Sequence, residues 1–187
     1  MEQQHVQKWV VDPAHSEVSF RIRHLMVSNV TGYFRKFHVE ANTAHDNFED
    51  ARITFTAQVN SIDTGNADRD AHLKGPDFFD AAQFPEIRFV STSLRPLNET
   101  GDYELEGQLT IKGITRPVKL QVHFVGRVKD PWGNLKAGFS VEGKINRKEW
   151  GLNWNAALET GGVVVSDEVR VAAELQMLQQ VATEAVS

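Results

Sequence analysis

Leu135-Lys-Ala-Gly-Phe139-Ser-Val141-Glu-Gly143-Lys-Ile145 changes character at every step. Leu135, Ala137, Phe139, Val141, Gly143 and Ile145 share one parity, and Lys136, Gly138, Ser140, Glu142 and Lys144 take the other. A period of two places alternate side chains on opposite faces of a strand, so this run reads as a long strand with one face in a core. The stretches on either side repeat the pattern. Upstream, Val118, Leu120, Val122 and Phe124 alternate with Lys119, Gln121 and His123; downstream, Val169, Val171, Ala173, Leu175 and Met177 continue it.

Further out, Tyr103 to Ile111, Ile53 to Val59, Ile87 to Phe89 and Val18 to His24 follow the same rule. Val30 to Val39 is less regular, because Phe34 and Phe37 fall on opposite parities, and a bulge would reconcile them. Turn chemistry at Asp12-Pro13, Asn98–Gly101, Lys112-Gly113 and Asp130–Gly133 separates the runs. The reading is about eight long strands joined by hairpins. Such a meander leaves two exposed edges unless it closes, and closure gives an all-β, antiparallel eight-stranded barrel.

One segment breaks the period. Asp63 to Lys74 reads as a short helix capped by Asp63 or Thr64, with Asp68 and Asp70 in its first turns and Gly75-Pro76 at its end. With Phe78-Phe79 it forms a helical insertion over residues 64–80, placed to act as a lid at one barrel end. Asn146 to Gly151 is a second non-strand connection and brings Trp150 and, beyond it, Trp154. The chain reads as one domain over 1–187, with a core of about 8–178 and a fraying tail at 179–187.

Composition narrows the function classes. With no cysteine there is no thiol nucleophile, disulfide framework, iron–sulfur cluster or cysteine zinc site. Twenty basic against 25 acidic residues leave no basic stripe for nucleic acid. The N-terminus lacks a cationic start followed by an apolar run, and nowhere do about 18 apolar residues run together. The expectation is a protein without a membrane span, housed in the cytoplasm unless a leader was trimmed. The 11 Phe against 2 Tyr supply apolar surface without a hydroxyl to satisfy.

An eight-stranded barrel holds either packed side chains or one small ligand. Gly32, Gly107, Gly126 and Gly143 fall inside strand patterns and read as unfilled volume or barrel corners. Phe20, Ile22, Phe55, Phe89, Leu109, Phe124, Phe139 and Trp154 would line such an interior, and His24 shares its strand's inward parity. Leu73, Phe78, Phe79 and Trp150 would border the entrance. Arg69, His72 and Arg147 are candidates to face a polar head group, against a solvated face with internal ion pairs. Each buried CH₂ contributes roughly 0.8 kcal/mol, so a dozen methylenes would exceed the ~8 kcal/mol that micromolar binding needs.

No metal, phosphate-loop or serine-elbow motif is present, and the seven His show no ligand spacing. Asp68 and His72 stand four apart, one helical turn, and could form a general base, or could simply pair on a helix face. Three readings therefore stay open: a lipid container without catalytic residues or a resident cofactor, an enzyme using Asp68 and His72, and a structural barrel with a filled core. The outward Thr, Gln and Arg residues would face solvent or a second copy in a homodimer.

Several motifs in order resemble the YceI family. They are Trp9-Val-Val-Asp-Pro-Ala-His-Ser-Glu-Val-Ser-Phe20 with His24, Arg69-Asp-Ala-His-Leu73, Asp77 to Thr92, Gly107 to Val118, Asn146 to Trp154 and Asp167 to Val171. The resemblance implies a lipocalin-like barrel that holds a polyisoprenoid or another long-chain amphiphile, such as an isoprenoid quinone, a prenyl diphosphate or a fatty-acid-like chain, with no agreed catalytic residues to carry over.

Overall fold

A computed structural model describes residues 6–25, 27–44, 48–155 and 164–180. Its strands are β1 (Gln7–Val11), β2 (Glu17–His24), β3 (Ser28–Phe34), β4 (Phe37–Thr43), β5 (Arg52–Gln58), β6 (Ile62–Asp63), β7 (Glu86–Pro96), β8 (Asp102–Ile111), β9 (Ile114–Lys129), β10 (Leu135–Asn146) and β11 (Val165–Gln180); α1 is Ala67–Lys74. Every pairing is antiparallel. The circuit β1-β4-β5-β7-β8-β9-β10-β11 returns to β1, closing an eight-stranded barrel. Closure leaves those strands no free edge.

Three staves of the barrel are broken. β1 and β2 both run along the long β11, and they are separated by a turn over Pro13–His15. Asp12 builds that break: its carboxylate accepts from the Ala14 N–H at 3.1 Å and pairs with His15 Nδ1 at 2.8 Å. β3 and β4 are separated at Arg35 and Lys36, and β5 and β6 at Val59–Ser61. The irregular run from Val30 to Val39 is thus two strands with a bend, which lets both Phe34 and Phe37 pack inward. The bend costs little, because Ser61 O accepts from Arg35 N–H and Lys36 O from Gln58 N–H.

Two local expectations change. The α1 cap is Asn66, whose side chain accepts from Arg69 N–H at 3.0 Å; Asp63 ends β6 and its carboxylate turns back to Gly65 N–H. The C-terminal strand persists to Gln180, where Leu178, Gln179 and Gln180 pair with Val10, Trp9 and Lys8. These three residues are strand because β1 needs a partner on that side. Residues 181–187 of the expected tail lie outside the described residues.

The connections sort by barrel end. The facing ends of β2 and β3, α1 with the segment leading to β7, the β8–β9 turn and the facing ends of β10 and β11 gather at one end. The facing ends of β4 and β5, with the β7–β8 and β9–β10 links, gather at the other.

Candidate functional site

The barrel encloses an apolar cavity of about 400 Å³, within the usual range for small-molecule sites. Its wall is the inward parity of the strands: Phe20, Ile22, Phe55, Phe89, Leu109, Phe139, Val141 and Val171 all line it. Phe20, Phe55, Leu109, Phe139, Val141 and Val171 are only half-buried although they point inward. A filled core would bury them, so the interior is a space.

The end bearing the β4–β5 link is plugged. Phe48 sets its ring edge-on to Trp9 at 5.5 Å and to Phe139 at 5.0 Å, and tilts against Phe124 at 5.8 Å. The Arg127 guanidinium lies 5.5 Å over Trp9 and 5.2 Å over Phe48. Phe124 was expected on the tunnel wall, but it belongs to this plug and does not line the cavity. Phe48 was missed because its segment carries no strand periodicity.

α1 lies at the other end. Arg69, His72 and Leu73 sit at i, i+3 and i+4, hence on one helix face, and all three line the cavity with Phe78 and Phe79. Gly75 ends the helix and the chain doubles back, with Phe79 N–H donating to Leu73 O and Ala81 N–H to Lys74 O. That return brings Asp77 within 2.9 Å of His72 Nε2. The expected Asp68–His72 pair is therefore absent: the returning turn offers His72 a nearer carboxylate. His72 lines the cavity while 40% of its side chain stays exposed, which marks where the cavity reaches solvent. Its ring meets Phe78 and Trp154 edge-on at 5.1 and 4.8 Å.

The polar groups of this mouth are few. Arg69 donates through Nε to Thr64 Oγ1 and through a terminal nitrogen to Thr64 O, both at 2.7 Å, and has no carboxylate partner among the described residues. Thr64 is itself fixed by Asp70. His24 lines the same end.

Arg147, expected to face a head group, does line the cavity, but it is 2% exposed and its guanidinium is already engaged. Its guanidinium donates to the carbonyls of Ser166 (2.9 Å), Leu152 (2.6 Å), Trp154 (2.8 Å) and Val165 (3.3 Å). Burial pulls its pKa down, and the Asp167 carboxylate at 3.9 Å opposes that shift. Arg147 therefore stitches the two arms of the β10–β11 connection together. Trp150 is fully buried, with Nε1 donating to Leu109 O at 2.9 Å; it shares a core cluster with Phe34, Ala57 and Leu152, which line the cavity while Trp150 does not.

The inward glycines do not create the volume. A Cβ on Gly32 would fall 2.2 Å from the Phe20 ring, and one on Gly107 2.3 Å from the Phe89 ring. One on Gly143 would fall 2.5 Å from Leu120. Each glycine is a seat for a large neighbour laid across it. Gly126 is exposed on β9 and crowds nothing.

The YceI-like domain matches residues 9–177. The chain belongs to the YceI family. A UPF0312 protein of Staphylococcus aureus (strain USA300) is 42% identical over 166 residues, covering 88% of this chain and 94% of that protein. The crystal structure of Burkholderia cenocepacia BcnA matches this YceI-family barrel with a TM-score of 0.77 at 26% identity, over 89% of this chain and 98% of that one. A Saccharophagus degradans polyisoprenoid binding domain implicated in plant cell wall breakdown shares the fold, with a TM-score of 0.61 at 16% identity over 90% of this chain and 97% of that domain. Among the described residues, no helix is long and apolar enough to cross a membrane.

Proposed function

We propose that this YceI-family barrel binds one long-chain amphiphile in its interior, as a store, carrier or sequestering agent. The observation that carries this reading is the apolar cavity of about 400 Å³ walled by half-buried Phe, Leu, Ile and Val. The apolar chain lies between Phe20, Phe55, Leu109, Phe139 and Val171, and its small polar head sits at the mouth beside Arg69, His24 and His72. Arg69, a cation without a carboxylate partner among the described residues, favours an anionic head such as a carboxylate or diphosphate. The S. degradans domain of the same fold supports a polyisoprenoid chain as one such cargo.

Binding without turnover fits better than catalysis. The Asp68–His72 base is not assembled, and the exposed His72–Asp77 pair sits on the rim.

Mass spectrometry of an organic extract of the purified protein tests the reading. A long-chain species is expected at near one per chain, and Val171→Trp, which places a large ring mid-cavity, should abolish it while the thermal melt stays cooperative. Arg69→Gln should weaken a fatty acid about tenfold or more but spare the matching alcohol. Full retention of lipid by Val171→Trp would rule out the interior as the site.

A further inference from the structure

The outer wall at the mouth carries an unfavourable arrangement. Arg170 stands directly opposite Arg21 on one side and Lys144 on the other, all three pointing outward. Like charges facing each other across strands destabilise a sheet. Lys144 reaches Glu168 at 3.9 Å. Arg21, Arg170 and Arg23, two residues along, are exposed and have no carboxylate within ion-pair distance among the described residues. This occurs in a chain of formal charge −5.

Leu25 and Val27 flank the β2–β3 turn that follows Arg23, and both are apolar and exposed. Val27 is 85% exposed and Leu25 40%, and Leu25 holds a left-handed φ of 54°. The turn is pinned by Val27 N–H to His24 O and by Leu25 N–H to Val164 O, while His24 and Val164 line the cavity. Three arginines without an ion-pair partner among the described residues, an exposed apolar pair at the β2–β3 turn and the cavity mouth are therefore contiguous.

We propose that this wall docks the barrel, mouth first, onto an anionic lipid surface. The cations meet the headgroups, and Leu25 and Val27 enter the acyl boundary. The inference rests on the reading that the cargo is a long-chain amphiphile, because such a chain resides in a bilayer and passes most easily from it into an adjoining apolar cavity. A salt-dependent attraction with a shallow apolar contact suits a protein that must also leave the surface.

Co-sedimentation with vesicles tests it. Phosphatidylcholine vesicles containing phosphatidylglycerol should capture the protein at low salt, and pure phosphatidylcholine vesicles should not. Arg21→Gln with Arg170→Gln should lower the partition coefficient at least ~tenfold, and Val27→Ser should lower it further. Arg52→Gln with Arg88→Gln, an equal charge change on the β5–β7 wall, should leave it unchanged. Equal capture by both vesicle types, equal loss in both double variants, or loss instead from Trp132→Ser at the far end would overturn the proposal. So would a salt-sensitive dimer that both Arg21→Gln/Arg170→Gln and Glu17→Gln/Glu174→Gln dissociate, since the wall would then serve a second copy. Uptake of a free fluorescent fatty acid should survive Arg21→Gln/Arg170→Gln. Docking by a barrel that takes up no such probe would overturn the cargo reading alone.

Discussion

Gly32 shows how a single residue positions the cavity wall. It sits directly opposite Phe20, whose ring lies over it, so any side chain at 32 displaces that ring into the cavity. In an ordinary strand, replacing glycine with alanine gains about 0.5–1 kcal/mol of chain entropy. Here a Cβ within 2.2 Å of the ring reverses the sign. Gly32→Ala should cost about 1–3 kcal/mol in urea unfolding, while Gly126→Ala, with nothing within 4 Å, should be neutral or slightly stabilising. Pairing Gly32→Ala with Phe20→Leu should recover part of the loss, because the two share one volume. Additive costs would show that the ring does not depend on the glycine.

At the scale of elements, the strand breaks and hairpins depend on carboxylates held ionised. The hydrogen bond from His15 does most to pull Asp12 below its usual 3.8, with burial opposing it; His38 does the same for Glu40, below 4.5. Asn98, in the β7–β8 link, and then His123, across the β8–β9 pair, lower Asp102. A carboxylate whose pKa is depressed on folding contributes stability above its unfolded value and loses it as pH falls through the folded one. Stability should thus be level on the acid side down to about pH 4.5 and decline below about pH 4. Asp12→Asn should flatten part of that decline. A thermal midpoint that rises on acidification below pH 4 would contradict this assignment.

The same elements show what was legible in the sequence. Period-two runs such as Leu135–Ile145 state their own face, and the hairpins between them state their neighbours, so strands and closure follow. Inward Phe20, Phe55, Phe89 and Phe139 follow with them. Phe48 and Asp77 were not legible, because loop residues reach their partners only through tertiary folding. Arg147 and Trp150 are ambiguous for a related reason: a charge or a large ring beside a strand end signals a site and a buried clamp equally. Only the carbonyls around Arg147 distinguish the two.

For the whole molecule, the decisive property, among the described residues, is a barrel plugged at the Phe48 end and rimmed by polar groups at the α1 end. A chain threaded from that mouth, as proposed, would bury each added methylene against the same kind of wall until it met Phe48 and Trp9. At roughly 0.8 kcal/mol per CH₂, affinity should rise about fourfold per carbon. Beyond the length that fills about 400 Å³ the gain must stop, since further carbons remain at the mouth or strain the plug. Titration with a homologous series of fatty acids should therefore give a line and then a plateau. Phe48→Ala should move the break to longer chains by opening the base, and Arg69→Gln should lower the whole curve without moving the break. A series with no break, or a break insensitive to Phe48→Ala, would mean that the chain does not run from the α1 mouth toward the Phe48 plug.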